Sequence, residues 1–152
     1  MTTVRLYVDR DHDSVMALAD RLTAGAASWR DRTRWLAVVR GWVAESISAA
    51  DTPMHAMYVA VVDDHVVGFV AVSTRMHFTG ALDAYVGELV VNSDVERRGV
   101  GRMLLEAAET WARDQGFTTV TLDTGAANTA ARAFYLAAGF VEEDIRLAKR
   151  LR

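Results

Sequence analysis

The residues best suited to chemistry fall in two short stretches and one isolated position. In the first stretch, Glu96-Arg97-Arg98-Gly99-Val100-Gly101-Arg102-Met103 stands where an amphipathic pattern begins. Glycine is among the poorest helix formers, and the macrodipole disfavours cations at a helix start. Both oddities make sense as one device. The first amides of a helix lack internal partners and carry partial positive charge. Gly99 and Gly101 remove side chains that would fend off a bulky anion, and Arg97, Arg98 and Arg102 add charge. The turn then becomes a phosphate cradle. The alternative is a tight, glycine-eased strand-to-helix turn with incidental arginines. Other phosphate-binding turns fit less well. A dinucleotide fingerprint needs a third glycine where Leu104 stands, and no Gly-Lys-Ser/Thr is present for a P-loop.

The second stretch is Asn128-Thr129-Ala130-Ala131-Arg132-Ala133-Phe134-Tyr135-Leu136-Ala137-Ala138-Gly139-Phe140. Asn128 suits an N-cap and Gly139 a C′ position, so a well-delimited helix is expected. Asn128 and Tyr135 are seven apart, hence on one face and roughly 10 Å apart along the axis. Ala131 between them keeps that face shallow enough for an extended ligand, although a cap and a half-buried tyrosine account for the same spacing. The isolated position is Glu88, which interrupts the apolar run Tyr85-Val86-Gly87-Glu88-Leu89-Val90-Val91. A carboxyl in such surroundings should titrate high, unless its side chain reaches solvent or a buried arginine.

These groups need a scaffold, and the chain supplies one. It has 152 residues, 51% of them apolar, enough for a core without staples. It contains no cysteine, which excludes a disulfide framework, a thiolate metal cluster and a cysteine nucleophile. A net charge of -3 gives no global field for nucleic acid. No run reaches the roughly 18 apolar residues of a membrane span, and Met1 to Arg5 lack signal-peptide organisation. The expectation is a cytoplasmic protein without membrane or nucleic-acid partners. His12, His55, His65 and His77 have no metal-ligand spacing, so no metal is expected.

Along the chain, Val4 to Val8 alternate as a first strand. Asp11 or Asp13 can cap a helix with the stripe Val15, Leu18, Ala19, Leu22. Ser28 and Asp31 resemble a capping box before a helix carrying Trp35, Val39, Trp42, Val43 and Ile47, with core packing the default for Trp35 and Trp42. Ala56 to Val62 and Val66 to Val72 form a hairpin about Asp63-Asp64-His65, and Tyr85 to Val91 a third strand of that meander. The glycine-led helix turns Leu104, Leu105, Ala108, Trp111 and Ala112 inward and ends at Gly116. Thr118 to Asp123 is a strand, Asn128 to Ala138 a helix, and Phe140 to Leu147 a last strand. The fold class is α/β in the α+β, mixed-sheet sense, with about four helices flanking a central antiparallel and parallel sheet. Residues 1–152 make a single domain, and the strand–helix–strand unit after Tyr85 is a parallel crossover.

Together, ERRGVG with its helix and the later N-TAARAF-Y-LAA-GF resemble the GNAT superfamily of N-acetyltransferases. The later helix matches the family pattern Asn-x-x-Ala-x-x-x-Tyr-x-x-x-Gly-Phe throughout. The cradle pattern Gln/Arg-x-x-Gly-x-Gly/Ala departs at its first position, where Glu96 stands. The resemblance covers residues 85 to 140 and implies a GNAT-like fold with acetyl-CoA as donor. It implies a pyrophosphate on the amides from Arg98 to Met103, with Arg97 beside them. It also implies a pantetheine arm between the strand residues Leu89, Val90 and Val91 and the helix residues Asn128, Ala131 and Arg132, with Tyr135 near the sulfur.

Acetyl transfer to an amine sets its own demands. A lysine-like amine is almost wholly protonated at pH 7, so a base is needed, a task worth about 10²- to 10⁴-fold. Glu88 is the candidate base, directly or through water, and Tyr135 the candidate acid for the departing thiolate. The acceptor is expected to be a primary amine: an aminoglycoside, a polyamine, an amino acid or a peptide terminus. Trp29, Trp35 and His77 are candidates for its pocket, and Asp63, Asp64, Asp83 and Asp123 for attracting its charge. The alternatives are a non-catalytic CoA-binding sensor or assembly module and, last, an anion-binding partner domain. The segment Asp144 to Arg150 offers an edge for a homodimer, by analogy with the family.

Overall fold

A computed structural model describes residues 1–152. The elements are β1 (Thr2–Leu6), α1 (His12–Leu18), α2 (Arg32–Ala49), β2 (Ala56–Val62), β3 (His65–Met76), β4 (Leu82–Val91), α3 (Val100–Asp114), β5 (Val120–Leu122) and α4 (Thr129–Ala137). Short 3-10 turns follow α1 at Ala19–Thr23 and precede α3 at Ser93–Val95. The five strands lie in sequence order, antiparallel from β1 to β4 and parallel between β4 and β5. The expected mixed sheet and four helices are therefore present.

Each face of the sheet has its own apolar layer. On one, Val100, Leu104, Leu105, Ala108 and Trp111 of α3 pack against Val70, Val72, Ala84 and Val86. On the other, Val15 and Leu18 of α1 and Val43 of α2 cover Met57, Val59, Phe69, Ala71 and Val90. Burying a side chain of this size stabilises by about 1.5–3 kcal/mol, so the two layers fix the sheet between its helices. The β2–β3 hairpin turns where expected. Asp63 and Asp64 both have positive φ, 47° and 63°, the backbone hand that matches strand twist in a two-residue hairpin.

A bulge in β4 sets up the site. Glu88 pairs with Ala71 but Val86 pairs with Val72, leaving Gly87 without a partner. Ala84 turns its amide toward β5, bonding Thr119 O at 3.0 Å, whereas Asn92 turns its amide toward β3, bonding Val67 O at 2.7 Å. These two residues are an even number apart and should face the same way in a regular strand. The bulge has reversed the alternation. Beyond it, Leu89 and Val91 direct their backbone groups to the edge away from β3. β5 ends at Leu122, opposite Val86, so that edge is open.

Four expectations are corrected. Phe140 to Leu147 form no strand: residues 141–152 make no backbone hydrogen bond, and Val141, Ile145 and Leu147 are exposed. Alternation describes side chains, but a strand needs a neighbouring ladder, and this segment is instead tethered by Glu142 to Arg132. β5 is three residues long rather than six. The α2 cap is Asp31 alone, whose side chain accepts from the Arg34 amide at 3.0 Å; Ser28 takes no part. Trp42 is 50% exposed, because α2 buries Val39 and Val43 and turns a second apolar stripe outward. Trp35, seven residues from Trp42, follows that stripe beside Val38.

Candidate active site

The cradle is built by backbone conformation. Arg97 and Gly99 have φ of 62° and 80°, two left-handed residues immediately before α3. The first helical bond runs from the Met103 amide to Gly99 O at 3.1 Å. No amide from Arg97 to Arg102 has a partner in the protein, and no side chain caps the helix. Six consecutive N–H groups are thus left unpartnered at the start of α3. The Arg98-to-Met103 expectation shifts by one residue, because the Met103 amide is already bonded. Arg97 and Arg98 are exposed and make no ion pair, while Arg102 lies 3.6 Å from Glu106.

The two glycines have different reasons. A Cβ on Gly99 would meet nothing within 4 Å, so its positive φ is what demands glycine. A Cβ on Gly101 would point inward, 3.5 Å from Phe134 and 3.6 Å from Val91. Those are ordinary contact distances and the position faces α4 and β4, so a side chain there would not stand in an anion's way, which corrects the expectation that both glycines clear a path for one. Glu96, the departure from the family pattern, pairs with Arg21. It ties the cradle loop to the 3-10 turn after α1.

α4 begins at Asn128, whose Oδ1 accepts from the Ala131 amide at 3.2 Å. Its amide NH₂ remains available as a donor. Arg132 is spent: its guanidinium bonds Glu142 at 2.6 Å and Ala126 O at 3.3 Å. A hold on the coenzyme would compete with these two exposed contacts. Tyr135 packs edge-on between Phe134 and Phe140, with centroids 5.2 and 5.6 Å away. Its hydroxyl makes no protein hydrogen bond, and burial pushes it up to about 12.

Glu88 lies on the opposite face of the sheet from α3, under α2, and is only 6% exposed. Ser46 Oγ donates to it, 3.0 Å from each carboxylate oxygen. Burial pushes the carboxyl up to about 7, against the lowering effect of the Ser46 bond and with a further push from Glu45. It is thus poised to change charge near neutrality, where a base is most useful. On the same face Tyr85 donates to Asp123 at 3.0 Å, and the Arg75 guanidinium stacks 4.1 Å from the Tyr85 ring while pairing with Asp123. Trp29 lines a hollow with Arg30 and the tail residues Ala148, Lys149 and Arg150. Trp35 lines a groove with Arg34, Val38 and Trp42. His77 is held by Thr79 at 2.7 Å and lies 3.6 Å from Glu143. Of the other acids expected to draw a cation, Asp63 and Asp64 form the distant hairpin turn and Asp83 is opposite Arg75. Asp123 was a candidate from sequence, but Ser46 and the gathering of Tyr85 and Arg75 around Asp123 had no sequence signal, since strand and helix partners far apart in the chain meet only in the fold.

Comparison with known proteins gives the family and the fold. The family model for the acetyltransferase (GNAT) family matches residues 15–140. An aminoglycoside N(6′)-acetyltransferase type 1 of Klebsiella aerogenes is 37% identical over 105 residues, covering 66% of this chain and 68% of its own. The ribosomal protein bS18-alanine N-acetyltransferase of Salmonella typhimurium is 41% identical over 64 residues, 42% of this chain and 43% of its own. In fold, the chain is similar to a PaiA N-acetyltransferase of Thermoplasma acidophilum solved with coenzyme A. That likeness has a TM-score of 0.79 at 18% identity and covers 96% and 93% of the two chains. The chain belongs to the GNAT acetyltransferase family. It is an acyl-CoA-dependent N-acetyltransferase, with acetyl-CoA as co-substrate.

Proposed function

We propose that this chain moves acetyl from acetyl-CoA directly to the primary amine of a small cationic acceptor. The observation that carries the reading is the run of unpartnered amides from Arg97 to Arg102 beside the open edge of β4. Those amides, with Arg97 and Arg98, suit a diphosphate. The outward groups of Leu89 and Val91 and the Asn128 amide suit the peptide-like bonds of a pantetheine arm. Val90 has its side chain in the core and contributes only to the strand. Ala131 keeps the neighbouring helix face low.

The thioester supplies an activated acyl group, and the chain's side chains handle protons. Glu88 Oε accepts the proton that the ammonium must shed, directly or through one water. The Tyr135 hydroxyl, protonated at neutral pH because burial raises it, gives a proton to the sulfur as the C–S bond breaks, and the second proton that the nitrogen sheds on becoming an amide restores it. Glu88 and Glu45 favour a cationic acceptor on this side, whereas the charge of Asp123 is already met by Arg75. The aminoglycoside class is the first to test, since a relative named for it matches two thirds of the chain. A need for acetyl-CoA supports the reading of a cytoplasmic protein. The exposed Val141, Ile145 and Leu147 give the tail an apolar side that a second copy would cover, which supports a homodimer; sedimentation of the intact chain and of a variant with those three changed to Ser tests it.

The transfer itself is tested by following free thiol with acetyl-CoA and a panel of aminoglycosides, polyamines, amino acids and Ala-initiated peptides. Acceptor-dependent release that collapses in Glu88→Gln is the expected result. Tight CoA binding without turnover on the whole panel would overturn it in favour of a binding module.

A further inference from the structure

The acid under α2 has a single hydrogen-bond partner, and that partner is unusually placed. A serine inside a helix commonly bonds back to the carbonyl one turn earlier. Ser46 makes no such bond; its hydroxyl turns into the sheet, equidistant at 3.0 Å from Oε1 and Oε2 of Glu88. One proton is thus shared between both oxygens, which holds the carboxylate plane relative to α2. No other group in the protein donates to that carboxylate. From this geometry we infer that Ser46 is a positioning residue for Glu88: its hydroxyl orients the carboxylate and steadies its charged form. The inference rests on the reading of Glu88 as the base.

The surroundings leave this hydroxyl little competition. Glu45, the neighbour of Ser46 on α2, repels the charged carboxylate, and Tyr85 on β4 is the other titratable group coupled to it. Ala71, opposite Glu88 on β3, is apolar, as are Val15 and Leu18 of α1 in the same layer. On the 3-10 turn after α1, Asp20 and Arg21 are already paired with Arg40 and Glu96. Ser46 is therefore the one contact favouring the anion against burial and Glu45.

The experiment is the pH dependence of kcat/KM for the amine at saturating acetyl-CoA, from pH 5 to 9. It compares the parent with Ser46→Ala, Ser46→Thr, Glu45→Gln and Glu88→Gln. Alanine favours helices, so Ser46→Ala keeps α2. Loss of the hydroxyl removes a contact that favours the anion, so the acid limb should move up by about one pH unit. Thr, which keeps a hydroxyl, should restore it, and Glu45→Gln should move the limb the other way. If Glu88→Gln abolishes the limb while Ser46→Ala leaves it in place, Ser46 has no such role and the base assignment stands. If Glu88→Gln retains the limb, the base assignment itself is wrong and this inference goes with it.

Discussion

Gly25 and Gly125 touch backbone to backbone: a Cβ on Gly125 would stand 2.5 Å from the Gly25 carbonyl oxygen. A Cβ on Gly25 would in turn stand 2.5 Å from Asn128 Cβ, and its φ is +81°. The segment leading into α2 is thus seated directly on the loop that caps α4. Two parts of the chain a hundred residues apart meet without an intervening side chain. The segment after α1 thus meets the loop before α4 here and the loop before α3 through the Arg21–Glu96 pair.

That junction predicts a loss of stability from a single methyl. At Gly125 the obstructing atom is a carbonyl oxygen, which cannot swing aside as a side-chain tip would. Gly125→Ala should destabilise by about 1–3 kcal/mol and raise KM for both substrates together. At Gly41, where an added Cβ meets nothing within 4 Å, Ala should be neutral or mildly stabilising because it removes a helix-interior glycine. Urea unfolding of the two variants separates the cases. Equal midpoints would mean the backbones are not in contact.

Glu88 predicts a stability profile of a particular sign. Its carboxyl titrates at about 7 folded and near the ordinary 4.5 when exposed. The folded state therefore prefers the protonated form. Its contribution is fully present below pH 4.5, fades as pH rises to 7, and is absent above. The difference amounts to about 3 kcal/mol, with little solvent screening because the residue is 6% exposed. Gln is neutral throughout, so Glu88→Gln should match the parent at pH 4 and exceed it in stability at pH 8. The same variant should lose about 10²-fold in kcat at pH 7.5. Chemical unfolding at several pH values, alongside turnover, checks both. A variant less stable than the parent at pH 8 would refute the buried-base description.

Tyr135 predicts the opposite pattern, loss of rate without loss of fold. Its ring is packed by Phe134 and Phe140, but its hydroxyl bonds nothing in the protein. Tyr135→Phe keeps the ring, so melting should shift by less than about 2 °C, while kcat falls roughly 10²-fold. Since burial raises the phenol to about 12, it stays protonated throughout, and kcat should show no basic limb from this group below about pH 10. A Phe variant of full activity would leave sulfur protonation to solvent.

Much of this is legible in the sequence, and the remainder has a physical reason to be hidden. α3 announces itself by its inward stripe and by Gly99 and Gly116, because a helix is a local object whose ends carry their own signals. The β2–β3 hairpin is equally local. Ser46 is 42 residues from Glu88, and nothing in the run Ala44-Glu45-Ser46-Ile47 marks it; only the crossing of α2 over β4 brings them together. The outward tryptophans of α2 misled because that helix carries two apolar stripes, and periodicity alone does not say which one faces the sheet. Phe140 to Leu147 read as a last strand in sequence but have no ladder in the fold. Tertiary context, absent from a one-dimensional pattern, decides all three.

The cradle's two glycines can be told apart by experiment, and the contrast tests the whole reading. Gly99 needs its left-handed φ, so Gly99→Ala should cost about 1–2 kcal/mol in stability and weaken coenzyme binding by disturbing the amides that follow. Gly101 has room for a methyl at ordinary contact distance from Phe134 and Val91, so Gly101→Ala should leave both stability and affinity close to the parent. Gly99→Asp goes further by setting a carboxylate among the unpartnered amides from Arg97 to Arg102, where it competes with a diphosphate and repels it. Its Kd for CoA should rise at least about tenfold beyond that of Gly99→Ala, equal to some 1.4 kcal/mol, while dephosphorylated pantetheine should bind both variants alike. Calorimetric titration of the three variants with CoA and with pantetheine distinguishes charge from strain. Equal CoA affinity in Gly99→Ala and Gly99→Asp would show that the diphosphate is held elsewhere.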